Sequence, residues 1–172
     1  ANSYLLLSET DKCLIIDADG VVERGISELR SSFPGIDPEA LLVTHYHVDH
    51  CRQACKLREQ YGVQIVLHRC VAEPLTARRN TAVPFRPKEP VFADHVCHGR
   101  ETWQWREYEF SIEPFPGQTW WHALFHAVID DRRVAFSGDS FQPASKWNGT
   151  GGFCAYNRSR FEDGFKVSAS RM

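Results

Sequence analysis

The sequence contains no apolar run long enough to cross a bilayer. Runs such as Leu14-Ile15-Ile16 and Leu41-Leu42-Val43 fall far short of the about 20 residues that a spanning helix needs. The N-terminus lacks the basic-then-apolar pattern of a secretion signal, so a cytoplasmic location is expected. A basic stripe is also missing: the net charge is -2 and the sequence pI is near 6.5. That balance argues against nucleic acid or an anionic membrane as partner and favours a small-molecule substrate; the oligomeric state is left open. The six cysteines include no CxxC pair and no disulfide-scaffold spacing, which leaves them as buried thiols. Internal repeats and low-complexity segments are absent, and 172 residues with 42% hydrophobic content suffice for one core. A single domain over residues 1–172 is expected.

Two short apolar runs, residues 3–8 and 12–17, flank the polar Glu9-Thr10-Asp11 and predict an antiparallel hairpin. Val22, Ile26, Leu29 and Phe33 recur at helical spacing and stop at Pro34-Gly35, which predicts a helix. Leu41-Leu42-Val43 reads as a compact strand, residues 49–61 as a helix closed by Gly62, and residues 63–67 as the next strand. The proline-rich residues 83–90 read as an ordered connector. Beyond it, residues 102–105, 108–114, 123–129 and 133–136 read as strands, the last two flanking Asp130-Asp131. The sum is an α/β fold whose second half is mostly antiparallel.

The chemistry is concentrated in Thr44-His45-Tyr46-His47-Val48-Asp49-His50, which directly follows the apolar strand. Alternate residues of an extended loop point one way, so His45 and His47 can converge on one ion while Asp49 and His50 reach another. Imidazole and carboxylate donors suit zinc, with iron or manganese as alternatives, one or two ions in number. A His-rich surface loop is the competing reading, but four donors within six residues after a buried strand rarely arise from packing. Further ligands must come from distant segments: Gln118, His122 and His126 on one, and Asp139 in Ser137-Gly138-Asp139-Ser140 on another. Gly138 permits a sharp turn before Asp139, whose carboxylate can then bridge two ions.

These three segments, with Pro116-Gly117-Gln118-Thr119-Trp120-Trp121-His122 as the second, resemble the metallo-β-lactamase superfamily in order and spacing. The opening Asn2-Ser3-Tyr4-Leu5-Leu6 with Leu14-Ile15-Ile16-Asp17 is similar to a hairpin of that family. The resemblance implies an αβ/βα sandwich with metals in a cleft at one sheet edge. Two departures follow. Gln118 stands where the family usually carries the third site-one histidine, and His122, four residues later, is expected to replace it. The family's last histidine is missing too, since no histidine follows His126. The chain starts without Met inside a hairpin and stops soon after an apparent helix start at residues 157–165, so a fragment incomplete at both ends is expected.

The expected metal ligands are therefore His45, His47, Asp49, His50, His122 and Asp139. The expected reaction is hydrolysis of an ester, lactone, thioester, amide or phosphodiester by metal-activated water. Asp49 binds a second metal or, with a single ion, orients the water as general base. Two alternatives stay open: a mononuclear-iron oxidoreductase of the persulfide dioxygenase kind, and a degenerate, non-catalytic domain. His68, His95 and His98 are read as structural, His126 as a strand residue, and Cys51 as a packed thiol. Trp120 and Trp121 are candidates for an aromatic substrate wall, Trp103 and Trp105 for core. Arg78-Arg79 and Arg132-Arg133 are read as solvated charge.

Overall fold

A computed structural model describes residues 1–77 and 85–140. The helix start expected at 157–165, together with Trp147, Cys154, Arg78-Arg79 and part of the proline-rich connector, lies outside the described residues.

Strands β1 (Tyr4–Leu7), β2 (Lys12–Ile16), β3 (Asp37–Leu42), β4 (Gln64–His68) and β5 (His95–Cys97) form one sheet in that order. The β1–β2 pair is antiparallel, and every later neighbour is parallel. Parallel strands covered on both faces read as continuous apolar runs, which is why Cys13 to Ile16 and Ala40 to Val43 are fully buried. Helices α1 (Val22–Ser32), α2 (Val48–Cys51), α3 (Ala54–Tyr61) and α4 (Arg69–Thr76) fall between these strands, with α3 and α4 packed on β3, β4 and β5.

The second sheet is wholly antiparallel: β6 (Glu101–Trp105), β7 (Tyr108–Pro114), β8 (Ala123–Ile129) and β9 (Arg132–Phe136). Asp130 and Asp131 both take positive φ, 49° and 59°, the paired left-handed geometry of a tight hairpin turn. Its inner face, with Phe110, Ile112 and Phe125 fully buried, joins the first sheet in one core. Helix, sheet and sheet thus stack as the α/β sandwich expected from the sequence. Among the described residues no helix is long and apolar enough to cross a membrane.

Among the described residues a backbone bridge, His45 to His122, links the two halves just beyond β3 and just before β8. The Ala123 amide donates to the Thr44 carbonyl (2.7 Å) and the Phe115 amide to the His122 carbonyl (2.8 Å), so the junction is hydrogen-bonded on both sides.

The helix expected over residues 49–61 is split. His50 carbonyl accepts from the Ala18 amide (2.7 Å), and the Gln53 amide donates to the Ala18 carbonyl (3.0 Å). One peptide from the loop after β2 has taken the bonds that a continuous helix would have used, and α2 ends there. Two elements had no sequence expectation: α4, whose interior Pro74 reads as a breaker, and β5, which is three residues long.

Leu41 is fully buried in the central parallel strand. Leu41→Ala should lower the unfolding free energy by about 2–5 kcal/mol, read as a reduced urea midpoint at unchanged slope.

Candidate metal centre

The strand β3 ends at Leu42, and the chain runs through Thr44 to His47, whose extended backbone caps α2. The short helix folds the chain back, with the His50 amide donating to the His47 carbonyl (2.9 Å). This turn brings His50 beside His45, ring centroids 4.0 Å apart. Asp139 arrives from the 3-10 turn Gly138–Ser140 after β9. The ligand atoms of His45, His50 and Asp139 all lie within 4.8 Å of one another.

The other expected residues border this group. His47 stands edge-on to His45 at 4.6 Å. Asp49 is at the rim, its side chain 49% exposed and its carboxylate 3.8 Å from His50 Nε2. His122 is fully buried and stacks on His45 at 4.8 Å with 15° between ring planes. Gln118 is buried, and its Nε2 donates to Asp139 Oδ2 (3.2 Å). His126 lies apart on β8, its Nε2 3.5 Å from the Glu113 carboxylate. Cys51 is buried, and its thiol donates to the His47 carbonyl (3.2 Å) as a packing residue.

One residue that sets the site had no assigned role in the sequence reading. Asp17, 2% exposed at the end of β2, accepts from the Thr44 amide (2.7 Å), the Thr44 hydroxyl (2.7 Å) and His50 Nδ1 (2.8 Å). Because the Thr44 proton goes to Asp17, the hydroxyl oxygen is left to accept from His45 Nδ1 (3.2 Å). Both imidazoles therefore carry their proton on Nδ1 and turn Nε2 inward. His45 Nε2 is buried with no hydrogen-bond partner among the described residues. His50 Nε2 faces Asp139 Oδ1 at 3.3 Å without a well-aligned bond. Inward lone pairs beside a carboxylate fit a divalent transition metal, which accepts electron pairs where the protein supplies no donor. The signal for Asp17 was an acid closing an apolar strand, with φ of 60°, a backbone region tolerated by short polar side chains.

Gly138 is required on steric grounds. Its φ is 47°, and a Cβ there would stand 2.5 Å from Thr44 Oγ1 and 2.8 Å from His122 Nε2.

Burial opposes a charge on every imidazole here. It drives the His45 pKa well below the ordinary value, lowers that of His122 to about 3, and lowers that of His47. At His50 burial is outweighed by the hydrogen bond to Asp17 and by the nearby charges of Asp17 and Asp139, which hold the pKa up at about 10. For Asp139 burial would raise the pKa, but His50 holds it down at about 2.

The His50 shift has a directional consequence. Without metal, the raised pKa adds stability fully present below about 6.5 and lost as pH rises through about 10. With metal, the His50 Nε2 proton must leave, so each ion bound there should release about one proton, and apparent affinity should rise about tenfold per pH unit near neutrality. Calorimetric titration in two buffers of different ionisation enthalpy reads that proton; none released contradicts the assignment. Asp17→Asn should leave the fold intact by circular dichroism yet weaken zinc binding about 10–100-fold in competition with a chromophoric chelator.

The chain was compared with known proteins. The family model of the metallo-beta-lactamase superfamily matches residues 1–163. A probable metallo-hydrolase of Bacillus subtilis, YqgX, is 35% identical over 149 residues, covering 81% of this chain and 65% of the relative. Among solved structures, a metallo-beta-lactamase with a HARLDQ motif from Cronobacter sakazakii superposes with a TM-score of 0.74 at 16% identity, over 98% of this chain and 66% of the other. The class B3 di-zinc metallo-beta-lactamase LRA-12 from an Alaskan soil metagenome gives 0.69 at 15% identity, over 99% and 67%. The chain thus spans about two thirds of the length of the relatives it matches. With its histidine cluster, its two-sheet core and these matches in agreement, the chain belongs to the metallo-beta-lactamase superfamily.

Proposed function

We propose that the protein to which this chain belongs is a metal-dependent hydrolase acting on a small molecule through zinc held by His45, His47, Asp49, His50, His122 and Asp139. One observation carries the reading: Asp17, directly and through Thr44, turns Nε2 of His50 and His45 inward toward the Asp139 carboxylate, and His45 Nε2 is buried there with no hydrogen-bond partner among the described residues. The relative named a probable metallo-hydrolase supports it.

A bound zinc ion supplies Lewis acidity and lowers the pKa of water at its open position to ~7. The residues do the remaining work. His45 and His122 are neutral, parallel imidazoles 4.8 Å apart at the base of the site, and both keep a lone pair for an ion. Gln118 fixes the Asp139 carboxylate by donating from Nε2 to Oδ2. Asp49, half exposed at the rim, would help hold a second ion or, with a single ion, orient the attacking water and take its proton as general base. Trp120, 42% exposed and two residues after Gln118 in the chain, is the surface we assign to an apolar part of the substrate.

Elemental analysis and hydrolysis assays on the full-length natural protein test the reading. Zinc should bind, and an ester and lactone panel should be turned over in a zinc-dependent way. Binding of iron with oxygen consumption supports the oxidoreductase alternative, and absence of any metal supports a non-catalytic domain. His122→Ala should remove more zinc than Gln118→Ala, because an imidazole is the stronger donor. Equal retention in the two variants removes His122 from the ligand set.

A further inference from the structure

A second group of donors lies away from this centre, where the first sheet hands over to the second. His95 and Cys97 are two residues apart on β5 and so share a face, and Glu101 opens β6. The ligand atoms of these three side chains lie within 4.8 Å of one another. His95 Nε2 and Glu101 Oε1 stand 3.3 Å apart. In a tetrahedral zinc site with bonds of about 2.0–2.1 Å, neighbouring ligand atoms are separated by about 3.4 Å, so this pair already spans one edge. The carboxylate is held from the other side: its Oε2 accepts from the His98 amide (2.8 Å). The turn that carries that amide is fixed by Gly99, with φ of 62°, and by His68 Nε2, which donates to the Gly99 carbonyl (3.0 Å). His68 thereby has the structural role read from sequence, whereas His95 gains a second use.

We infer that His95, Cys97 and Glu101 form a zinc-binding site distinct from the His45–His50–Asp139 centre, with one coordination position open to solvent. Imidazole, thiolate and carboxylate are the three protein donors that zinc accepts, and sulfur disfavours magnesium and calcium. Entry is from the side of His95 and Glu101, whose side chains are 46% and 34% exposed, while Cys97 lies buried beneath them. Coordination replaces the sulfur–hydrogen bond by a sulfur–zinc bond, and the proton leaves to water. The ion ties β5 to β6, so it fastens the crossover between the sheets.

Cobalt(II), added to the metal-free full chain as a stand-in for zinc, separates this site from the first, whose ligand set contains no sulfur. A sulfur-to-cobalt charge-transfer band should appear in the near ultraviolet. It should persist in His50→Ala and vanish in Cys97→Ser, with stoichiometry reduced by one ion. If Cys97→Ser does not fold, His95→Gln decides, since that side chain is exposed; its apparent cobalt affinity, followed at the same band, should fall at least tenfold. Absence of the band in the unaltered chain, its survival in folded Cys97→Ser, or an unchanged affinity in His95→Gln overturns the inference.

Discussion

The Asp17 carboxylate, buried beneath the histidine loop, is the constraint on which the metal centre rests. It receives three donors from two segments of the chain, the Thr44 amide, the Thr44 hydroxyl and His50 Nδ1, all within 2.8 Å. A buried carboxylate is costly unless its lone pairs are occupied, and here the groups that occupy them are the ones whose orientation the site needs. The parallel pairing of β2 with β3 brings the ends of both strands to the same level, so Asp17 and Thr44 meet as a result of sheet register. Sheet geometry is in this way converted into the protonation pattern of His45 and His50.

The imidazoles fall into two electrostatic classes. His45, His47 and His122 are kept neutral by burial, so a metal meets available lone pairs. His50 lies between Asp17 and Asp139 and is held as a cation in the metal-free protein. A proton on His50 offsets the charge of the buried Asp17 and the half-buried Asp139, a place that a bound metal would take.

Local chemistry made much of this readable from sequence. The histidine cluster declared itself by density, the hairpins by alternation around Asp11 and Asp130-Asp131, and the first-sheet strands by continuous apolar runs. What escaped was set by contacts between distant segments. Asp17 looks like an ordinary strand end until Thr44 and His50 are placed against it. The split between α2 and α3 has no local signature, because its cause is the Ala18 peptide. Alternation along an extended loop set His47 beside His45, as the rings stand 4.6 Å apart, while the approach of His50 to His45 depends on the turn of α2, where the chain leaves the extended form at Val48. Helix α4 was hidden by Pro74, and β5 by its brevity.

That Ala18 peptide bears on the entropy of metal binding. It bonds to His50 on one side and Gln53 on the other, so the loop after β2, carrying Asp17, and the loop after β3, carrying the histidines, are joined as one body. The conformational freedom of the ligand loop is thus given up when the sheet forms and not when an ion arrives. The affinity of the centre can then reflect donor chemistry with little loss to ordering.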